Sequence, residues 1–292
     1  MKRIPVLLLF LVAAILTSCG QTEDVVTIKT SYGDIVAILY DETPKHKENF
    51  LKLAREHYYD STLFHRVMKD FMIQGGDPDS KKAKPGQPLG RGGPGYTVPA
   101  EFVPKYFHER GALAAARLDD QQNPKRESSG SQFYIVQGKK VSEMEYKLDQ
   151  GKLMTELQIM YQSGKYQPLF DSLQAIVNAR DEAAYEAKIV SLAPRVEKIS
   201  GKSVMREVQE DRLKAYTTVG GTPFLDDQYT IFGKVISGMD VVDKISVVQT
   251  DPQARPVDNV PMTVTVKSMS RKQIEKKYGY KYPETPKESK KK

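Results

Sequence analysis

Residue types that serve in catalysis occur in the chain, but their spacing fits none of the common reactions. Residues 90–95 have the spacing G-x-G-x-x-G of a dinucleotide-binding turn, yet Pro94 interrupts them and Pro88 precedes them, where a strand and a helix would be required. The four histidines contain no H-x-x-x-H pair, and residues 128–131 lack the G-x-S-x-G pattern of a nucleophilic serine. The sequence therefore predicts a turn-rich loop at 90–95 and disfavours nucleotide, metal and nucleophilic chemistry.

Five other sequence blocks resemble a single enzyme family. They are FHRV at 64–67, FMIQGGD at 71–77, GALAAAR at 111–117, GSQFYI at 130–135 and FLDDQYTIFG at 224–233. Their content and order resemble the cyclophilin family of peptidyl-prolyl cis-trans isomerases. The resemblance implies an enzyme that isomerises X–Pro bonds of polypeptide clients without a cofactor or metal. It does not extend to residues 139–219 or to the last residues of the chain.

The chemistry of such an isomerase needs a positioned donor and no nucleophile, metal or redox group. The X–Pro bond faces a rotation barrier of about 18–20 kcal/mol, and no covalent bond is broken as it rotates. The enzyme must bind the twisted amide better than either planar isomer. Arg66 suits this task because its guanidinium is permanently charged and carries several rigid N–H donors. The alternative is a surface ion pair of Arg66 with Asp70 or Glu101.

The resemblance assigns further residues to the site. Gln74 would orient Arg66 and contact the substrate, and Phe71 would act with them in catalysis. The residues that would bind the substrate through the proline pocket and the adjoining groove are Met72, Ala116, Arg117, Gln132, Tyr134, Phe224, Leu225 and Tyr229. Taken without the resemblance, Phe71 and Met72 could simply belong to the core, and Gln74 could close the end of a strand.

Three aromatic residues depart from the family pattern. Phe224 stands where many members have tryptophan, Tyr229 where a histidine is common, and Tyr134 where phenylalanine is frequent. All three keep aromatic area, although Tyr134 would place a hydroxyl near the proline ring. We expect catalysis to persist with altered affinity for cyclosporin-like cyclic peptides. The substitutions also leave open a non-catalytic proline-peptide-binding or chaperone module.

Charge is concentrated at the two ends of the chain. The 292 residues carry a net charge of +7, with nine Lys or Arg against three Glu in residues 271–292. The body between the ends is almost neutral, so it lacks the basic face that binding to phosphate groups requires. Composition therefore disfavours a nucleic-acid-binding protein. The partners that the resemblance implies are proline-containing clients, and we expect the protein itself to be a monomer.

The N-terminus has the pattern of a lipoprotein signal peptide. Lys2 and Arg3 precede an apolar run at 4–16 that is too short to span a bilayer, and Leu-Thr-Ser-Cys-Gly follows with the single cysteine, Cys19. The motif resembles the bacterial lipobox, which implies that Cys19 is lipidated and becomes the new N-terminus. An ordinary signal peptide is the alternative. We expect a protein of the cell envelope, anchored to a bacterial membrane and facing the periplasm.

The elements that must position these residues follow from the pattern of apolar residues. Short strands separated by Gly and Pro at 25–138 and 221–270 indicate an all-β barrel or sandwich. The resemblance implies a closed, eight-stranded antiparallel β-barrel capped by two helices, a mainly β fold. Residues 20–24 are predicted to be a tether, and residues 271–292 a solvated, Lys-rich tail.

Residues 139–220 are predicted to be a mainly α-helical insertion, beginning with a capping box at Ser142 and Glu145. Two roles remain open for it. The helices could simply pack on one another, or Met154, Leu157, Met160 and Tyr161 could form an exposed apolar stripe that holds clients.

Overall fold

A computed structural model describes residues 21–84 and 86–282. The predicted signal peptide and the lipidation of Cys19 lie outside this part of the chain. The strands in it are β1 (Thr22–Thr30), β2 (Gly33–Leu39), β3 (Thr62–Met68), β4 (Met72–Gly75), β5 (Thr97–Val98), β6 (Ala112–Ala115), β7 (Ser128–Ser129), β8 (Phe133–Val136), β9 (Ile231–Ser237) and β10 (Pro261–Ser270). The helices are α1 (Pro44–Arg55), α2 (Glu143–Lys147), α3 (Gln150–Gln162), α4 (Gln167–Asn178), α5 (Glu182–Ser200), α6 (Glu210–Thr218), α7 (Met239–Ser246) and α8 (Arg271–Tyr278).

Eight of the strands form a closed antiparallel barrel. Their order around the barrel is β1-β10-β3-β4-β8-β6-β9-β2, while β5 and β7 form a separate two-stranded sheet. Strand β1 forms a hairpin with β2 and pairs with β10 on its other side. The closed barrel that the resemblance implied is confirmed, and closure leaves no long unpaired strand edge in it.

Side chains along the barrel strands point alternately to the interior and to the outer face of the barrel. Side chains directed into the barrel are apolar and fully buried, because successive residues of a strand point to opposite faces. They include Ile28, Ile35, Ile73, Leu113 and Ile135, all with an exposed fraction of 0%. Helices α1 and α7 cover this core with buried residues such as Phe50 and Ile245. These are the two capping helices that were expected.

Helices α2 to α6 all lie between β8 and β9, in the predicted insertion, whose exact bounds stay a prediction. Helices α3, α4 and α5 share a core of their own, which buries Leu157 and Met160. Only Met154 and Tyr161 of the proposed stripe are exposed. The prediction of a continuous exposed stripe of four residues was therefore wrong. Helical spacing directs Leu157 and Met160 into the core that the helices share.

Helices α2 and α6 attach the insertion to the barrel. The rings of Tyr146 and Tyr216 lie 5.1 Å apart, and Phe107 of the barrel packs on Tyr216 at 5.5 Å. The capping box at Ser142 and Glu145 is present at the start of α2, as predicted.

Residues 22–24 and 271–282 form more regular structure than the sequence suggested. Residues 22–24, predicted to be tether, extend β1, because Thr22, Glu23 and Asp24 pair with the end of β10. Residues 271–282 do not form a solvated tail, because α8 buries Ile274 completely against Val25 and Val36. Residues 283–292 lie outside the described part of the chain. None of the helices in residues 21–84 and 86–282 is long and apolar enough to cross a bilayer.

Candidate active site

Four predicted or neighbouring site residues lie in one row across four adjacent strands. Arg66 on β3 is opposite Gln74 on β4, Gln74 is opposite Tyr134 on β8, and Tyr134 is opposite Ala114 on β6. The neighbouring residues Ile73 and Ile135 point into the barrel core, so the row points outwards. The site is therefore built on the outer face of the barrel, on paired strands that fix its residues relative to one another.

An apolar cluster forms the floor beside this row. It contains the buried side chains of Met72, Ala114, Ala116 and Tyr134, with the half-buried Phe71, Leu225 and Tyr229 packed against them. Phe224 extends the cluster at its rim: its ring lies 5.4 Å from that of Phe71 and the residue is 63% exposed. The structure thus brings together the residues that the sequence assigned to the proline pocket.

Arg66 lies at the edge of the apolar floor. Its guanidinium carbon is 5.8 Å from the centre of the Phe71 ring, and Nη1 donates to Oε1 of Gln74 at 3.4 Å. Within residues 21–84 and 86–282, Arg66 forms no ion pair, and Glu101 instead pairs with His46 at 2.7 Å. The alternative of a surface ion pair is therefore wrong, and the charge stays available on the pocket side.

A relay of hydrogen bonds holds Gln74 in place. Nε2 of Gln74 donates to Oε1 of the buried Gln132 at 3.1 Å, and Nε2 of Gln132 donates to the carbonyl of Gly92 at 2.8 Å. The buried carboxylate of Asp77 accepts from the backbone N–H groups of Gly90 and Gly92. The predicted turn-rich loop at 90–95 thus has a positioning role: it orients Gln132, and through it Gln74 and Arg66.

The hydroxyl of Tyr134 turns away from the pocket. It lies 2.9 Å from Nε2 of His108, a residue with 0% exposure, while Nδ1 of His108 is 3.1 Å from Oδ1 of Asp226. Burial lowers the pKa of His108 and raises that of Tyr134, so the ring is neutral and the phenol is protonated. The Asp226 carboxylate therefore accepts a hydrogen bond from Nδ1–H of His108, and the Tyr134 hydroxyl donates one to Nε2. The Tyr134 hydroxyl therefore does not lie near the proline ring as expected, and the aromatic ring of Tyr134 presents apolar area to the pocket.

The insertion is tied to the same carboxylate. Arg212 on α6 donates to Oδ2 of Asp226 at 3.2 Å, and the hydroxyl of Tyr216 contacts Asp226 at 2.7 Å.

Sequence reasoning missed four residues of this network, His108, Asp226, Arg212 and Tyr216. Asp226 lies inside one of the recognised blocks, but its partner His108 is 118 residues away, and no local pattern signals that pairing.

Arg117 is largely engaged within the protein. Its guanidinium carbon lies 4.5 Å from the centre of the Tyr229 ring, Nε donates to the carbonyl of Gln228 at 2.9 Å, and Nη1 donates to Asp120 at 2.6 Å. Tyr229 packs edge-on against Tyr134 with ring centres 5.9 Å apart. Arg117 thus supports the aromatic wall, and its predicted contact with the substrate backbone stays a prediction.

An arginine, two glutamines and an apolar aromatic pocket on the outer face of an eight-stranded barrel define the class of peptidyl-prolyl cis-trans isomerases. Comparison with known sequences gives the family: the sequence profile of the cyclophilin type peptidyl-prolyl cis-trans isomerases matches residues 25–192 and 201–267. The chain belongs to this family.

Relatives from three bacteria show the same similarity. The chain is 30% identical over 244 residues to a Staphylococcus aureus protein and 28% identical over 248 residues to a Staphylococcus saprophyticus protein, both provisionally assigned as peptidyl-prolyl cis-trans isomerases. These matches cover 82% and 84% of this chain and 89% and 91% of the relatives. A Streptococcus pyogenes protein, provisionally assigned as a bifunctional phosphatase/peptidyl-prolyl cis-trans isomerase, is 30% identical over 247 residues, which are 82% of this chain but 38% of that protein.

Proposed function

We propose that the protein isomerises X–Pro bonds of exported polypeptides in the cell envelope, with Arg66 stabilising the twisted amide above the apolar pocket. The observation that carries this proposal is the position of the Arg66 guanidinium, 5.8 Å from the Phe71 ring and hydrogen-bonded to Gln74. This charge forms no ion pair with the described residues, and it stands next to an apolar surface suited to a proline ring. This is the arrangement that a rotating imide requires.

The reaction is driven by differential binding. Twisting the amide ends its resonance and leaves a lone pair on the imide nitrogen, and a donor directed at that lone pair or at the neighbouring carbonyl favours the twisted form. A 10⁵-fold acceleration requires about 7 kcal/mol. One charge-assisted hydrogen bond supplies about 1.5–3 kcal/mol, so the remainder must come from the apolar pocket and from exclusion of water around Arg66.

Gln74 has a positioning role in this scheme. Its Oε1 accepts from Arg66 while its Nε2 donates to Gln132, so the amide can hold the guanidinium only in one orientation. The buried Gln132 in turn is fixed by Gly92. Arg66 thus reaches the substrate from a preorganised position, which costs little reorganisation at the moment of rotation.

The cellular setting is inferred from the N-terminus. The signal peptide at 1–19 and the lipobox at Cys19 support an exported protein anchored to a membrane, and two or more acyl chains on one residue give stable anchoring where one alone does not. The clients would then be proline-containing proteins that fold outside the cytoplasm.

Replacement of Arg66 tests the mechanism. We expect Arg66→Ala to lower kcat/KM on an Ala-Pro test peptide by about 100-fold or more, which corresponds to about 3 kcal/mol of lost transition-state stabilisation. Arg66→Lys keeps the charge but not the planar fork and should recover only a small part. Circular dichroism should show an intact fold in both variants. Full activity of Arg66→Ala would contradict the assigned role.

Exchange spectroscopy separates catalysis from binding alone. An isomerase increases the exchange rate between the cis and trans signals of the peptide in NMR spectra. A non-catalytic proline-binding or chaperone module would shift those signals without increasing exchange, and that result would favour the alternative function.

A further inference from the structure

A groove of about 1230 Å³ begins at the rim of the proline pocket and continues along the helical insertion. Phe224 belongs to both: its ring packs on Phe71 of the pocket, and it lines the groove beside Pro223 and Asp70. The opposite wall comes from helices α2 to α5. A polypeptide leaving the pocket across Phe224 therefore enters this groove.

The helical wall presents apolar side chains that the helices do not need for their own packing. Met154 on α3 and Val177 on α4 are about half exposed, at 48% and 50%, and both line the groove. The core of α3 to α5 is completed without them by residues such as Leu153 and Leu157. Methionine is flexible and polarisable, which suits contact with side chains of varied shape.

The charged groups around the groove are mostly engaged within the protein. Asp149 and Asp181 cap the first turns of α3 and α5, and Lys139 pairs with Glu186 at 3.7 Å. Arg206 donates to the carbonyl of Tyr146 at 2.9 Å. Asp70 and Arg180 also line the groove, and its exposed apolar contacts are Met154, Val177 and Phe224. The groove therefore offers an apolar segment several contacts that the protein does not use itself. Its volume exceeds the usual 300–1,000 Å³ of small-molecule pockets, so its size fits several residues of polypeptide.

The wall is preformed rather than loosely attached. Arg212 and Tyr216 of α6 bind Asp226, which stands next to the pocket residue Leu225. This junction fixes the insertion relative to the pocket, so binding along the groove has little ordering cost on the protein side.

We propose that the groove is an extended binding site for the client itself: an unfolded, apolar segment that flanks the proline in the pocket. The proposal rests on the proposed isomerase function, because the segment and the proline belong to one chain. Unfolded clients expose apolar stretches, and a second contact on the same chain raises the affinity for it through effective concentration. The insertion would thus direct the enzyme towards unfolded polypeptides rather than short exposed loops.

The test compares short and long peptides on matched variants. The probes are a tetrapeptide with one Ala-Pro bond and two peptides of ~12 residues, extended with Leu and Val before or after that bond, since an extended chain advances about 3.4 Å per residue. We expect Met154→Asp to raise KM and Kd for one long peptide by about fivefold and to leave the tetrapeptide unchanged. Ile159→Asp is the control, because Ile159 is on the same helix, 50% exposed, and outside the groove.

The outcomes separate the groove from the catalytic proposal. Equal affinity of the purified protein for short and long peptides, or no effect of Met154→Asp on either long peptide, would overturn the groove. An effect of Ile159→Asp as large as that of Met154→Asp would also overturn it. If no peptide is isomerised, the proposed function fails, but tighter binding of a long peptide that Met154→Asp weakens would still support the groove.

Discussion

The orientation of Arg66 depends on hydrogen bonds that continue behind Gln74. Gly92 lies between Gln132 and Asp77: its carbonyl accepts from Gln132, and its N–H faces the Asp77 carboxylate. There is no room for a side chain here, because a Cβ atom at Gly92 would stand 2.1 Å from Oδ1 of Asp77. The adjacent Gly93 has no atom within 4 Å of the corresponding position. Two neighbouring glycines therefore differ sharply in what they permit.

We expect Gly92→Ala to lower kcat/KM by about tenfold, because the loop must shift and Gln132 then loses the acceptor that orients it. Steady-state kinetics on the tetrapeptide measure the loss. Gly93→Ala is the matched control and should retain full activity. Equal activity of the two variants would argue against a relay from Asp77 to Arg66.

At the scale of elements, the informative junction is that between α6 and the turn at Pro223–Leu225. Asp226 accepts hydrogen bonds from His108, Arg212 and Tyr216, and its side chain is only 9% exposed. One carboxylate thus joins the barrel, the pocket turn and the insertion. Removing a single partner from such a buried pair leaves the other charge without compensation.

We expect Asp226→Asn to lower the free energy of unfolding by about 3 kcal/mol, since Arg212 would keep only the exposed Asp227 as a charged partner. Tyr216→Phe removes one hydrogen bond and should cost about 1 kcal/mol. Urea unfolding of both variants gives the comparison. A cost for Asp226→Asn no greater than that for Tyr216→Phe would show that the ion pair does not hold the junction.

At the scale of the whole molecule, the barrel closes by joining the two ends of the chain. Strand β1 pairs with β10 from Thr22 to Lys29, and the N–H of Arg271 donates to the carbonyl of Gln21. The described chain therefore begins at Gln21 beside the first residue of α8. Folding also buries His46, His65 and His108 in three separate places, and their burial makes the stability of the molecule depend on pH.

We expect stability to fall as the pH drops below about 6.5. Burial lowers the pKa of His46, His65 and His108 from the ordinary value of 6.5, so the unfolded chain binds more protons than the folded one just below that value. Each histidine can contribute up to about 1.4 kcal/mol per pH unit. Urea unfolding at about pH 7.5 and 5.5 measures the slope.

A variant identifies the source of this slope. His46→Gln should make the slope shallower without abolishing it, because the buried ring beside Glu101 is removed while His65 and His108 remain. The control is His57→Gln, at an exposed position, which should leave the slope unchanged. A stability that does not vary between these pH values would contradict the depressed pKa values.

Local features of the site could be predicted from the sequence. Arg66 and Gln74 are eight residues apart on strands joined by a tight turn, and the resemblance had already assigned Gln74 to orient Arg66. The resemblance added the partners on distant strands, and the structure brings Met72, Tyr134 and Leu225 into one cluster. The insertion was also visible as a change of period from strand to helix.

Only the tertiary structure decided which polar groups the pocket depends on. His108 and Asp226 are 118 residues apart, and Asp77 acts on Gln132 only through the carbonyl of Gly92. Docking of α8 through Ile274 likewise depends on the face that β1 and β2 present together. Sequence periodicity reports which side of its own element a residue occupies. The choice among distant partners is made by barrel closure, which leaves each buried donor or charge only the few groups that can satisfy it.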